Sequence, residues 1–347
     1  MEMAKEPIEP SNRPICSVCI ANYNGVGIID SALQSVIAQD YDFPIEIIVH
    51  DDASTDGSVD FIRNNYPDVK LISSEANVGF CVSNNRMVST ARGEYILLLN
   101  NDAILFPNAI STLYKEACRQ DTPGILGLPQ YNFFTGDLID RGILFDPFIN
   151  TVPNLDTKKT DVGMVIGACL WIPKALWEEL GGFPEWFHTL GEDMFLCCLA
   201  RLKGFSVKII QSSGFEHRVG NSLGGGKVAM NRLSTSKKRR ALSERNKSFV
   251  MTLTYPAPYL QLIFPLHIVM LIIEGVLLCF LKKDPKLFRS IYIFCVSSLW
   301  RERKRLYHLR KKFQPLRRIS PRRFFSPFTP IPYKLSMLLR YGVPEIK

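Results

Sequence analysis

EYILLLNND, residues 94–102, runs from an apolar stretch straight into two asparagines and an aspartate. Tyr95 to Leu99 is too short for a helix of ordinary length and reads as a buried strand. A buried strand that delivers a carboxylate at its C-terminal end is where an open α/β sheet places its ligand chemistry. A carboxylate there suits a hard divalent cation, and such a cation suits a phosphate. The competing reading is a plain turn, since Asn and Asp favour turns after strands anyway.

Working outward, ICSVCIA (15–21), IEIIVH (45–50) and VKLIS (69–73) read as further strands. Between the first two, Ile28, Ile29, Leu33, Val36 and Ile37 share one helical face. After the second, Ser54 or Thr55 is placed to cap a helix that starts near Asp56. NVGFCVSNNRMVSTARG (77–93) reads as a loop and then a helix. Strand and helix alternate four times with short connections, which predicts an α/β fold with a mostly parallel sheet and helices on both faces. Residues 124–160 yield no firm elements. GMVIGACLWIP (163–173) reads as a strand in which Gly167 and Ala168 leave space against the backbone. GEDMFLCCLARLKG (191–204) reads as a helix ended by Gly204, and FSVKIIQ (205–211) as a strand. His217 then falls in a loop whose Gly224, Gly225 and Gly226 suggest a lid.

The 347 residues favour two regions over one core. Residues 1–12 form a charged, proline-bearing leader without the apolar stretch of a secretory signal. The nine cysteines lack framework spacing. Cys16 and Cys19 lie three apart in a strand and point to opposite faces, which is poor ligand geometry, so buried thiols in a reducing cytosol are expected. The net charge of +9 is local: residues 301–323 hold eleven Lys/Arg and one Glu, and the remainder holds 31 basic and 32 acidic residues. This basic run follows PYLQLIFPLHIVMLIIEGVLLCFL (258–281), long enough to span about 30 Å of hydrocarbon, and a shorter apolar piece, LFRSIYIFCVSSLW (287–300). One crossing would place the basic run away from a cytosolic domain, against the positive-inside tendency. Two helices lying in the interface, with the basic run on anionic headgroups, satisfy both constraints. A nucleic-acid role for the run is set aside because membrane-grade segments lead directly into it. The expected organisation is a leader, an α/β domain over 13–255, and a membrane-associated helical region over 256–347.

Asp51 and Asp52 follow a strand where a Rossmann-type fold grips a nucleotide, and they read equally as an acidic turn and helix cap. Glu192 and Asp193 open a helix, where carboxylates are stabilised in any case. As a functional pair they offer a general base for a hydroxyl.

The ordered set NYNG, DDASTDGS, NVGF, GEYILLLNND, GACLWIP, LGGFPEWF, GED and H-x-x-x-x-S resembles the inverting nucleotide-sugar transferases of glycosyltransferase family 2, over roughly residues 13 to 255. It looks closest to the bacterial branch with rhamnosyltransferases and other surface-polysaccharide enzymes. The resemblance implies a GT-A fold, a nucleotide-diphosphate sugar donor, a saccharide acceptor and a divalent cation, Mn²⁺ or Mg²⁺. It implies a donor-binding set of Asn22, Asp51, Asp52, Asn77 and Asn101, with Asp51 on the nucleobase. It puts Asp102 on the metal with His217 near metal or diphosphate, Asp193 as catalytic base, and Glu192, Gly167 and Ala168 on the acceptor side. The family's metal motif is often Asp-x-Asp, and here the first position is Asn100. Location near a bilayer implies a lipid-linked acceptor and work at the cytoplasmic face of the plasma membrane. A nucleotide-binding scaffold remains the alternative from another class. A processive synthase remains the alternative enzyme, and it would show several spans and a Q-x-x-R-W-type motif.

Overall fold

The computed structural model describes residues 13–218, 225–229 and 232–346. The leader therefore lies outside the described residues, as do Ser222 and Gly224 of the expected lid. The N-terminal half alternates as its apolar periods require: β1 (Cys16–Asn22), α1 (Ile29–Ile37), β2 (Ile45–Asp51), α2 (Ser58–Asn65), β3 (Lys70–Ser73), α3 (Phe80–Thr90) and β4 (Tyr95–Asn100). A short β5 (Ala103–Leu105) and α4 (Ala109–Arg119) follow. Residues 124–160 resolve into short strands, β6 (Gly124–Gly127), β7 (Gln130–Asn132), β8 (Leu138–Asp140), β9 (Ile143–Phe145) and β10 (Thr151–Pro153). At three or four residues each, they are too brief to show a period. Next come β11 (Cys169–Pro173), α5 (Lys174–Leu180), α6 (Glu192–Leu202), β12 (Ser206–Ile209) and β13 (Phe215–His217).

Seven strands form the central sheet in the order β12-β6-β11-β4-β1-β2-β3. All neighbours are parallel except β11, which is antiparallel to both β4 and β6. Strands buried on both faces read as unbroken apolar runs. Accordingly, in β4 Ile96 and Leu98 belong to one core while Leu97 and Leu99 belong to the other. Cys19 and Cys16 divide between the same two cores, as strand geometry demands. Every cysteine is a free thiol, and Cys118 is exposed.

Three local expectations are corrected. Gly57, at φ +86°, leads into α2, and no side chain caps that helix; Ser54 instead binds Asp51. The strand expected over 163–173 begins only at Cys169, leaving Gly167 and Ala168 in the turn before it. Gly225 and Gly226 open a strand, β14 (Gly225–Ala229), which pairs with β15 (Arg232–Thr235).

The C-terminal region is α7 (Lys237–Thr254), α8 (Tyr259–Lys282), a π turn at Phe288–Ile293 continuing into α9 (Phe294–Phe313), α10 (Pro321–Phe324) and α11 (Tyr333–Tyr341). It packs into the core rather than standing apart. Phe249, Leu306, Phe313 and Phe324 share one cluster with Trp177 and Phe195. Among the described residues, α8 is the one helix long and apolar enough to cross a membrane. One face of it, His267, Leu271, Gly275 and Leu278, is buried against the domain. The opposite face exposes Leu262, Leu266, Val269, Ile273, Val276 and Phe280. The second apolar piece buries Ile291, Tyr292 and Cys295 in a separate small core with Leu271 and Leu278 of α8, so it is a packing helix along much of its length.

Candidate functional site

Strands β2 and β3 lie to one side of β1, and β4 lies to the other, so the crevice between the ends of β1 and β4 is a topological switch point. The sequence places amides and carboxylates on both rims. Asn101 Nδ2 donates to Asn22 Oδ1 at 2.8 Å, and Asn22 Nδ2 donates to Asp51 Oδ2 at 2.8 Å. Asp51 also accepts from the Ser54 N–H at 2.9 Å and the Ser54 hydroxyl at 2.7 Å. Three strand ends are thus locked into one polar chain. Gly25 is what lets them close: a Cβ there would lie 2.3 Å from Asn22 Oδ1 and 2.4 Å from Asn101 Nδ2.

Asp52 is turned the other way. Its carboxylate accepts from the N–H groups of Val78 at 2.7 Å and Gly79 at 2.9 Å, just ahead of α3. It anchors the loop that carries Asn77, whose side-chain amide is exposed and approaches the Asp52 carbonyl at 3.4 Å.

Asp102 is nearly buried one residue past that of Asn101, and its Oδ1 lies 3.0 Å from His217 Nε2. His217 is not in a loop. It ends β13, which pairs antiparallel with β5 and sets His217 opposite Ala103. On its other side Nδ1 meets Gln130 Nε2 at 2.8 Å. The Gln130 amide sets the imidazole tautomer: turned so that its carbonyl accepts from Nδ1–H, it would free the imidazole Nε2 as a ligand. Asp140, paired with Gln130 across β7 and β8, is pushed up to about 6 by burial. Among the described residues no three His, Cys, Asp or Glu side chains form a ready metal cage. A carboxylate and an imidazole side by side instead fit a cation that arrives with phosphate oxygens of its own, the usual manner of Mg²⁺ with substrate phosphates.

The acidic pair opens α6 after a tight backbone passage, with φ +66° at His188, +69° at Leu190 and +91° at Gly191. Asp193 accepts from the Gly167 N–H at 3.2 Å and the Met194 N–H at 2.7 Å. Glu192 is buried and its Oε2 has no partner among the described residues. Burial, then the Asp193 charge, push Glu192 up to about 8; burial also raises Asp193, and its two backbone donors oppose the rise. The N–H donors on Asp193, set against the unpartnered Oε2 of Glu192, favour the charge on Asp193 and the proton on Glu192. Arg239 of α7 faces both carboxylates. A Cβ on Gly167 would be only in ordinary contact with Phe80 and Asp193, so the use of Gly167 here is its N–H. Ala168 is buried, and its carbonyl accepts from the Asn100 N–H at 3.1 Å. That bond ties the turn holding Asp193 to the strand end holding Asn101 and Asp102. Arg239, Gln130 and Asn246 were beyond a sequence reading because each reaches the site from a distant element.

The fold is GT-A: the structure superposes at TM-score 0.52 on a mannosyltransferase from Pyrobaculum calidifontis, described with GDP-Man and Mn²⁺, at 17% identity over 97% of this chain and 88% of that one. Residues 17–181, just under half of the chain, match the family described as Glycosyl transferase family 2. The uncharacterized glycosyltransferase YibD of Escherichia coli is 34% identical over 108 residues, 30% of this chain and 31% of that protein. The N-acetylglucosaminyl-diphospho-decaprenol L-rhamnosyltransferase of Mycobacterium tuberculosis is 25% identical over 211 residues, 52% of this chain and 69% of that protein. The chain thus spans between about a third and two thirds of the length of these two relatives.

Proposed function

We propose that the chain transfers a sugar from a nucleotide-diphosphate sugar to a hydroxyl of a lipid-linked saccharide, in one inverting displacement, at the cytoplasmic face of a bacterial plasma membrane. The observation that carries this is the hydrogen bond from the Asn100 N–H to the Ala168 carbonyl, which ties the strand end bearing Asp102, the partner of His217, to the turn whose Gly167 N–H binds Asp193. Asn22, Asp51 and Asn101 present a polar rim for the nucleoside, since carboxylates and amides accept from base imide N–H and ribose hydroxyls. Asp102 and His217 would hold a divalent cation, which when bound offsets charge on the departing diphosphate. Asp193, aimed by two backbone N–H groups, takes the proton of the acceptor hydroxyl as its oxygen attacks the anomeric carbon. Glu192, without the backbone donors that favour the charge on Asp193, is the member of the pair that keeps a proton more readily and so offers a hydrogen-bond donor to the acceptor. The bond to the diphosphate oxygen breaks as the new bond forms, so no nucleophilic side chain is needed. The exposed apolar face of α8 and the exposed Arg301, Arg303, Lys304, Lys311 and Lys312 of α9 support a peripheral seat on an anionic bilayer.

The test is release of nucleoside diphosphate from a panel of UDP-, dTDP- and GDP-sugars with membrane extract as acceptor, in Mn²⁺, Mg²⁺ or EDTA. Cation-dependent release from one donor, lost in Asp102→Ala and in Asp193→Asn while Asp193→Asn still binds donor, is the expected result. Donor binding without release anywhere in the panel would favour the nucleotide-binding scaffold, and neither binding nor release would overturn both readings.

A further inference from the structure

A cavity of about 510 Å³ lies behind the acidic pair, bounded by α7, α8 and α11. Met194, next to Asp193, and Arg239, which faces Asp193, both line it, so it adjoins the proposed acceptor side of the crevice. Its two walls differ in kind. The α7 wall carries Arg239, Arg240 and Lys247, joined by Lys334 of α11, against only two lining carboxylates, Glu244 and Glu274. Lys334 bridges Glu244 and Glu274 at 2.7 Å each, Lys247 binds Glu244 at 2.9 Å, and Arg240 pairs with Glu274. That network pairs each of its carboxylates with a cation and keeps an excess positive charge. Arg239 adds another, and among the described residues its guanidinium makes no hydrogen bond or close ion pair. The facing wall is apolar, made by Leu277 and Leu281 of α8 and Leu335 of α11, and it continues onto the exposed face of α8.

A cationic end and an apolar flank that runs out to a lipid-facing helix match one kind of ligand, an amphiphile with a phosphate or diphosphate head and a long chain. We infer that this cavity is the seat of the lipid phosphate of the acceptor, with Arg239 on the phosphate and the chain leaving along α8. The inference deepens the transfer reading above and rests on it for the word acceptor. The geometry gives a direct consequence: a phosphate on Arg239 puts the sugar it carries beside Asp193.

The test is calorimetry on the full chain in a neutral detergent, in EDTA so that the donor diphosphate site has no cation. Farnesyl diphosphate, inorganic diphosphate, farnesol and phosphatidylglycerol are the probes. Farnesyl diphosphate is expected to bind at least tenfold more tightly than inorganic diphosphate or farnesol, and phosphatidylglycerol is not expected to displace it. Arg239→Ala is expected to weaken that binding about tenfold or more, as loss of a charge-assisted contact does. Leu277→Glu, at a position 43% exposed and so tolerant of change, is expected to weaken it as well, and it carries the test if Arg239→Ala does not fold. Equal binding of inorganic diphosphate, or equal competition by phosphatidylglycerol, overturns the inference. Donor binding with Mn²⁺ on the same preparation separates the two ideas. Donor bound without farnesyl diphosphate leaves the transfer reading and removes this one; the reverse keeps a lipid-phosphate site and removes the transferase.

Discussion

The side-chain amide of Asn246 donates to the carbonyl of Leu190 at 2.6 Å and to that of Thr189 at 3.0 Å, immediately ahead of the acidic pair. Asn246 is fully buried, and the chain it holds keeps His188 and Leu190 at positive φ. Such conformations cost about 1–3 kcal/mol each and persist only where surroundings impose them. Asn246 is therefore a positioning residue for Glu192 and Asp193. Asn246→Ala is expected to lower kcat tenfold or more with little change in donor KM, and to shift the pH–rate profile because the pair is no longer held at one depth. A lower melting temperature with an unchanged profile would reduce Asn246 to a packing role.

Glu192 makes stability depend on pH in a definite direction. Its folded value of about 8 stands above an unfolded value of about 4.3, so between these the folded chain binds the extra proton. The stabilisation is complete below about pH 4 and is lost as pH rises through about 8. Glu192→Gln, which cannot ionise, is expected to melt higher than the parent at pH 9 and to converge with it at acidic pH. Thermal unfolding across pH 5 to 9 checks this; parallel curves for the two proteins would contradict it.

Gly25 separates donor binding from folding. It is exposed to no strain of its own, yet a methyl group there would strike both Asn22 and Asn101. Gly25→Ala is expected to part these side chains, to weaken binding of the cognate nucleotide sugar about tenfold by calorimetry, and to move the melting temperature by only a few degrees. Asn22 and Asn101 would lose one neutral hydrogen bond, on the order of 1 kcal/mol of stability.

What the sequence shows of this site follows the reach of its signals. Asp51 and Asp102 were legible because each ends an apolar run of strand length, and a parallel sheet gathers such ends on one edge. The partnership of Asp102 with His217 came only with the family resemblance and not from the residues themselves, because it depends on β13 pairing with β5 across 109 intervening residues, and a three-residue strand shows no period. Gly167 drew attention as an absent side chain, whereas the structure uses its N–H. The same limit explains the domain boundary. An apolar or basic run announces its composition, but not whether Arg310 points outward or, as here, donates to the carbonyls of Thr252 and Tyr255 at the end of α7.

That last contact makes truncation informative. Residues 256–347 were expected to be a membrane-associated helical region, and Phe313 and Phe324 of it fill the core beside Phe195 and Tyr255, while the Thr329 N–H donates to the Phe145 carbonyl at 2.7 Å. Removing them would open an aromatic core, with each such side chain worth about 3–5 kcal/mol on truncation to alanine. A chain ended after Tyr255 is therefore expected to lose cooperative unfolding, and Phe324→Ala to lower stability by about 3–5 kcal/mol. Membrane attachment is separable by another route. Phe280, 81% exposed on α8, touches none of that core, so Phe280→Ser is expected to melt with the parent while binding anionic vesicles more weakly in a flotation assay. Cooperative melting of the truncated chain would restore a two-part organisation, and undiminished flotation of Phe280→Ser would remove the outer face of α8 from the membrane seat.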